Sequence, residues 1–302
     1  MSEAATPQTI DRGGLSRRSA PATVTVFTRR NPARTSAALR RLIELARASG
    51  VRVQVPQEEV AKHGLRPDRD GVVETAAGSP CDVAVALGGD GTILHALRTY
   101  AGTGTPVFAI NFGAIGFLAT IEGDRLEEGL ARLFSGNFEV LALPALELER
   151  QGERHIAFND VAVHRRHGGR VAELAYFVSG EELGEVRCDG LVVATPAGST
   201  GYNLANGGPV LAWGVEGYVV SFIAPHTLTA RALVVAPADD LELMNRSAEE
   251  AVDVVCDGRT VSELEPHERL PLRFVPRRAL LAQLPGASFY ARLRSKFGLL
   301  AS

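Results

Sequence analysis

Lysine is nearly missing from this chain. Of 32 cationic residues in 302, only Lys62 and Lys296 are lysines. Neither stands in a Gly-Lys-Ser/Thr run: His63 follows the first and Phe297 the second. A P-loop hydrolase, whose lysine reaches the β- and γ-phosphates, is thereby excluded. So is a protein kinase, which needs a strand lysine in Val-Ala-Ile-Lys. Two poorly placed lysines also argue against pyridoxal phosphate chemistry, which binds its cofactor as a Schiff base. Cysteine is scarce too. Cys81, Cys188 and Cys256 are odd in number and far apart. They make no disulfide framework and no Cys-x-x-Cys zinc pattern, so a reducing compartment is expected. No apolar run approaches membrane-spanning length, and the N-terminus lacks the apolar core of a signal peptide. The net charge is −3. Clustered positive charge, the usual footprint of a nucleic-acid partner, is missing. The expectation is a cytoplasmic protein that binds neither nucleic acid nor membrane.

What is present reads as a folded, two-part chain. Hydrophobic residues make up 45% and charged residues 22%, an ordinary globular balance. With 31 glycines and 16 prolines, many tight turns are expected. Residues 1–21 are rich in Ser, Ala, Thr, Pro and Arg without period and read as a disordered leader. Residues 22–137 alternate strand and helix. Thr23–Thr28, 51–55, 82–87 and 106–110 read as strands. Leu39, Leu42, Ile43 and Ala46 mark one helical face, and Leu126, Leu130, Leu133 and Phe134 another. That alternation predicts a doubly wound, Rossmann-like α/β domain. Residues 138–285 show strand after strand and read as an all-β, sandwich-like domain. Hairpins are expected around 179–182 and at Asp257-Gly258. Residues 286–302 read as a C-terminal helical tail, with the helix over about 288–296.

Four segments carry candidate chemistry. Gly88-Gly89-Asp90-Gly91-Thr92 follows a strand and precedes a helix expected to begin near Ile93. Glycines let backbone approach a phosphate, and a helix start offers unpaired N–H groups. An acid within such an anion cradle makes sense if it binds a metal or accepts a proton. An ordinary glycine turn capped by Asp90 is the plain alternative. Asn111 to Leu118 also leaves a strand at its C-terminal end, which puts it beside the first loop in a doubly wound sheet; taken alone it reads as a turn followed by core residues. Asn159-Asp160 sits between apolar strand residues, where an amide and a carboxylate can hold a ribose diol or an adenine; a bulge with satisfied side chains reads equally well. The fourth runs from Asp189 through Thr195-Pro196-Ala197-Gly198-Ser199-Thr200-Gly201-Tyr202 to Asn206-Gly207-Gly208-Pro209. Small and hydroxylated residues with one aromatic suit a ligand loop that stacks a base on Tyr202. A glycine-rich corner between sheets is the alternative. His164 and His167 lack a third metal ligand. Cys188 has no activating base. His226 suits a packed loop. Arg231 and Arg259 suit phosphates or surface acids alike.

Together and in this order, the four segments resemble the NAD kinase family over about residues 82–297. The Pro225-His226 segment leading to Arg231 and the terminal Phe289-Tyr290-Ala291-Arg292-Leu293 look like that family as well. The resemblance implies a kinase that moves the terminal phosphoryl group of ATP, or of polyphosphate, to the 2′-hydroxyl of the adenosine ribose of NAD. It implies Mg²⁺ or another divalent metal, and a homodimer or homotetramer. Asp90 would be the catalytic base, or an acid that orients that hydroxyl and the metal, and Gly88, Gly89, Gly91 and Thr92 would bind phosphate. Gly91, Asn159, Asp160, Arg170, Arg187, Asp189, Ala197, Thr200, Gly201, Tyr202, Asn203, Leu204, Ala205 and Arg259 would line the dinucleotide site. Arg259 stands where many relatives have glutamine, and Asn203-Leu204-Ala205-Asn206 departs from Ser-Leu-Ser-Ala. Arg187 resembles the residue of members that favour NAD over NADH. The competing readings are a kinase of the same superfamily acting on a lipid hydroxyl and a non-catalytic nucleotide sensor.

Overall fold

A computed structural model describes residues 19–113, 116–119 and 121–298. The leader expected over 1–21 falls outside it except for residues 19–21, as do Ala114 and Ile115 of the second segment and the last four residues.

The first half alternates as its periodicity predicts. In chain order it forms β1 (Thr23–Thr28), α1 (Ser36–Ala48), β2 (Arg52–Pro56), α2 (Gln57–His63), α3 (Pro67–Asp70), β3 (Val73–Thr75) and β4 (Val83–Gly88). There follow α4 (Asp90–Thr99), β5 (Pro106–Asn111), β6 (Ile121–Glu122) and α5 (Leu126–Phe134). Strands β5-β4-β1-β2-β3 lie side by side and parallel. β1, β4 and β5 are almost wholly buried, and β4 and β5 almost wholly apolar, as strands covered on both faces tend to be. One face packs on α1 and α5 through Leu39, Leu42, Ile43, Leu130 and Leu133. The other packs on α4 through Ile93, Ala96 and Leu97.

The second half contains β7 (Glu139–Arg150), β8 (Glu153–Ala157), β9 (Asp160–Arg165), β10 (Ala172–Val178), β11 (Glu181–Cys188) and β12 (Gly190–Ala194). It continues with α6 (Tyr202–Ala205), β13 (Tyr218–Ile223), β14 (Leu233–Val235), β15 (Leu241–Asn245), β16 (Val252–Cys256), β17 (Arg259–Leu264) and β18 (Arg269–Gln283). Helix α7 (Phe289–Phe297) closes it. A six-stranded antiparallel sheet, β14-β13-β12-β9-β16-β17, packs over β10, β15, β18 and β7 around one apolar core. This is the expected sandwich with one addition. β18 pairs with β15 and β7 and then, beyond a break at Pro276–Arg278, runs parallel to β5. A single twelve-stranded sheet therefore crosses from one half of the chain into the other.

The hairpins hold, one of them with a shorter turn than expected. β10 and β11 are joined by Ser179-Gly180 and β16 and β17 by Asp257-Gly258, all four residues with positive φ. That is the turn whose twist matches paired strands. The helix expected near Ile93 begins earlier, at Asp90. The glycine turn is thus only two residues long, and its acid already belongs to the first helical turn.

Candidate active site

The parallel sheet sets the first two segments side by side. In the β4–β5 register Gly88 faces Asn111, so both strands release their loops at one edge. The loops touch through glycine. A Cβ on Gly113 would sit 3.2 Å from the Gly89 Cα, and one on Gly88 would collide with the Thr92 side chain. Asp90 then stands at the open end of α4, half-buried. Its Oδ2 accepts the Phe117 N–H at 3.1 Å and its Oδ1 the Leu118 N–H at 3.3 Å. Burial pushes the carboxyl pKa up; those two N–H groups, Arg292 and Lys296 pull it partway back. The result is a carboxylate with raised proton affinity, held still by backbone, which is what a base needs.

A second ring of polar groups surrounds it. Buried Asn111 accepts the Gly113 N–H at 2.8 Å and donates to Glu122 at 2.6 Å. Burial raises the Glu122 pKa, but Lys296 at 2.8 Å and Asn111 outweigh it, so Glu122 stays an anion. On the far side of the turn a cavity of about 810 Å³ opens, lined by Thr28, Arg29, Arg30, Asn31 and Lys62 with Gly89, Gly91 and Thr92. Lys62 is held there by Glu59 at 2.6 Å. The chain's two lysines thus flank the glycine turn from opposite sides.

The third and fourth segments also meet. Thr195 donates its backbone N–H to the Asn159 carbonyl at 2.9 Å and its hydroxyl to the Phe158 carbonyl at 2.6 Å. Gly198 lies so close that a Cβ would run into the Asn159 carbonyl. Asp160 is buried, and burial followed by the charge of Asp257 pushes its pKa up to about 7. Tyr202 is 41% exposed and near enough to Asp160 and Asp189 for both to raise its own pKa, after burial. Asp160 and the Tyr202 ring therefore border one cradle with Asn159.

One ion pair joins the acid helix to this cradle. The Asp257 side chain is fully buried beneath the 158–160 backbone. It accepts N–H groups from Phe158 at 3.1 Å, Asn159 at 2.7 Å and Asp160 at 3.3 Å. Its fourth partner is Arg98 of α4, at 2.7 Å. Arg98 lies eight residues after Asp90, about 12 Å along the same helix. Asp257 stood out in the sequence only as part of a hairpin turn and Arg98 not at all, because their partnership spans 159 positions.

Other expected residues are placed less centrally. Asn203 turns inward, donating to the Ser199 and Pro209 carbonyls, both at 2.9 Å. Buried Thr200 donates to the Ala197 carbonyl, while Gly201 and Ala205 are exposed and Leu204 half-buried. Asp189 is held as an anion by Arg165 at 2.6 Å. Arg259 follows the Asp257-Gly258 turn, close enough to influence Arg98. Arg187 is exposed and pairs with Glu173 at 3.2 Å, and Arg170 is exposed with Glu249 at 3.9 Å. No contact joins either arginine to Asp90 or to the cradle. Cys188 is buried, its thiol pushed up to about 12, and is inert. Arg231 spends its guanidinium on the Leu228 and Ala230 carbonyls.

Comparison with known proteins gives the family. The profile of the ATP-NAD kinase N-terminal domain matches residues 27–138, and that of the ATP-NAD kinase C-terminal domain matches residues 158–284. The chain belongs to the NAD kinase family. It is 35% identical over 271 residues to an NAD kinase of Gemmatimonas aurantiaca, covering 87% of this chain and 91% of that protein. An NAD kinase of Lachnoclostridium phytofermentans is 32% identical over 270 residues, covering 85% and 92%. The solved structure of an Archaeoglobus fulgidus NAD kinase with ATP superposes with a TM-score of 0.69 at 26% identity, covering 91% of this chain and 97% of that one. Yeast NADH kinase with NADH shares the fold, with a TM-score of 0.83 at 22% identity over 93% and 88%.

Proposed function

We propose that the protein phosphorylates NAD at the 2′-hydroxyl of its adenosine ribose, with Asp90 as the base. The observation that carries this is the Asp90 carboxylate itself: pinned by two N–H groups, raised in proton affinity, and bound through α4 to the Asn159-Asp160 cradle. The adenosine end of the dinucleotide lies in that cradle, its base against Tyr202. The 2′-hydroxyl faces Asp90. As O2′ bonds to the terminal phosphorus, its proton passes to Asp90 and the bond from that phosphorus to the bridging oxygen breaks, releasing ADP from ATP. Such a transfer asks the protein for position and charge, not covalent chemistry. The donor's phosphates lie along Gly89 and Gly91, toward the cavity that carries Arg29, Arg30 and Lys62.

No cluster of three His, Cys, Asp or Glu side chains able to hold a metal occurs among the described residues. Both Asp90 oxygens and Glu122 are already engaged. These residues do not build a resident metal site. The divalent cation in this reading arrives as substrate, complexed with the donor's phosphates.

The rest of the reading is a cytoplasmic homodimer or homotetramer. Three free thiols, two of them buried, support a reducing compartment. No helix among the described residues is long and apolar enough to cross a membrane. Exposed Leu183 and Val234 on the sheet-edge strands β11 and β14 support pairing between copies.

A coupled assay of NAD, a phosphoryl donor and Mg²⁺ with detection of NADP tests the function. Parallel reactions with ATP and with polyphosphate separate the donors. Asp90→Asn is expected to lower turnover by about 10²–10⁴-fold while NAD still binds. Near-wild-type turnover in that variant refutes the base role. Absence of NADP with the native protein refutes the kinase and leaves the sensor or lipid-kinase readings.

A further inference from the structure

Asp90 is fixed by the backbone of a loop, and that loop is itself fixed by one arginine. Phe117 is the hinge between them. Its N–H donates to Asp90, and its carbonyl accepts Arg292 Nη1 of α7 at 2.5 Å. Arg292 Nη2 donates to Gln283 Oε1 at 2.7 Å. Gln283 is the last residue of β18 and is buried, so the far end of this chain of bonds is anchored in the sheet. The Arg292 guanidinium also lies 4.9 Å from the Trp213 ring centre, a cation–π distance. Around Phe117 the rings of Trp213, Phe289 and Phe297 close at 5.8, 5.7 and 5.9 Å.

Helix α7 buries none of its residues fully. It contributes little core, yet it carries an arginine into a site where burial pulls the guanidinium pKa down to about 10. The charge survives at neutral pH, partly because Asp90 and Glu122 face it. A cation kept against desolvation beside the acid is poorly explained by stability alone.

We propose that Arg292 is a positioning residue for the Asp90 carboxylate, and that α7 is a wall of the active site and not an appended tail. The proposal rests on Asp90 being the base. Arg292 holds the Phe117 peptide at the angle from which its N–H meets Asp90, and it supplies the stronger of two cationic influences, Lys296 being the other, that favour the ionised acid. Those two cations are the charged groups that face Asp90; Glu122 faces the cations in turn.

The test compares full-length Arg292→Met and Arg292→Lys with the native protein in the NADP-forming assay. If the native protein makes no NADP, or Asp90→Asn is fully active, the base reading fails before Arg292 is reached. Otherwise Arg292→Met is expected to lower kcat by about 30–100-fold, the scale of a carboxylate misplaced by an ångström or less. KM for both substrates should stay within about threefold, as for an interaction used in the transition state. The acid limb of its kcat–pH profile should move to higher pH, because removing the cation makes Asp90 easier to protonate. Arg292→Lys keeps the charge and loses the two-pronged bond. It should keep the acid limb and the thermal midpoint of the native protein and lose about tenfold in kcat. Native kcat in Arg292→Met, or a rise in KM with kcat unchanged, overturns the proposal. If Arg292→Met does not fold, native turnover in Arg292→Lys overturns it equally.

Discussion

Replacing Arg98 with methionine removes the side-chain partner that a fully buried carboxylate has among the described residues while preserving most of the apolar stem. Asp257 keeps its three backbone N–H bonds, but among the described residues no cationic side chain remains bonded to it. Breaking a buried pair from one side costs about 3–5 kcal/mol because the other charge is stranded. The surviving N–H bonds put this case at the low end, about 3 kcal/mol. At about 2–4 °C per kcal/mol for chains of a few hundred residues, the thermal midpoint should fall by about 6–12 °C. The loss should also fall on one substrate. The 158–160 backbone hangs from Asp257, so KM for NAD should rise about tenfold or more while KM for ATP holds. Scanning calorimetry and initial-rate kinetics measure the two effects. The double variant Arg98→Met/Asp257→Asn strands no charge and should recover much of the midpoint. An Arg98→Met protein with unchanged midpoint and unchanged KM for NAD would refute the argument that this pair organises the cradle.

Three further outcomes follow from the same geometry. Asp160 has its pKa pushed up to about 7, above its unfolded value, so its contribution to stability is complete at low pH and is lost as pH rises through 7. Asp160→Asn should therefore raise the thermal midpoint at about pH 8.5 and leave it unchanged near pH 4, while NAD affinity falls; equal shifts at both pH values would contradict the assignment. Gly198→Ala should cost about 1–3 kcal/mol from overpacking against the Asn159 carbonyl and weaken NAD in a calorimetric titration, and a neutral result would show the loop can yield. Gly88→Ala, whose Cβ would strike Thr92, should disturb the turn on the donor side and raise KM for ATP more than KM for NAD.

Much of the fold was legible wherever pairing is local. The α1 face at Leu39, Leu42, Ile43 and Ala46 and the Asp257-Gly258 turn rest on short-range periodicity and φ preferences, and both appear as read. The glycine segments were legible as ligand loops because strand ends in a parallel sheet converge on one edge. What lay hidden has large sequence separation. The pairing of Leu280 with Pro106 joins two halves that read separately as α/β and β. Arg98 carried no local signal and Asp257 only turn chemistry; their bond needs the tertiary fold. Asn203 was expected to face ligand, but its amide closes the loop on itself. Arg292 belonged to a segment singled out for resemblance, with nothing local to say that α7 folds back on Phe117.

Strand β18 has one more consequence, for synthesis. It is the neighbour that β5 needs on its open side, yet it is translated after nearly everything else. Until those residues leave the ribosome, the nascent chain carries an almost wholly apolar strand whose backbone at Pro106–Val107 lacks its β18 partner. Unprotected margins of that kind invite pairing with other chains. Helix α7, whose Arg292 holds the loop around Asp90, comes later still, so completing the sheet and settling that loop both wait on residues 269–297.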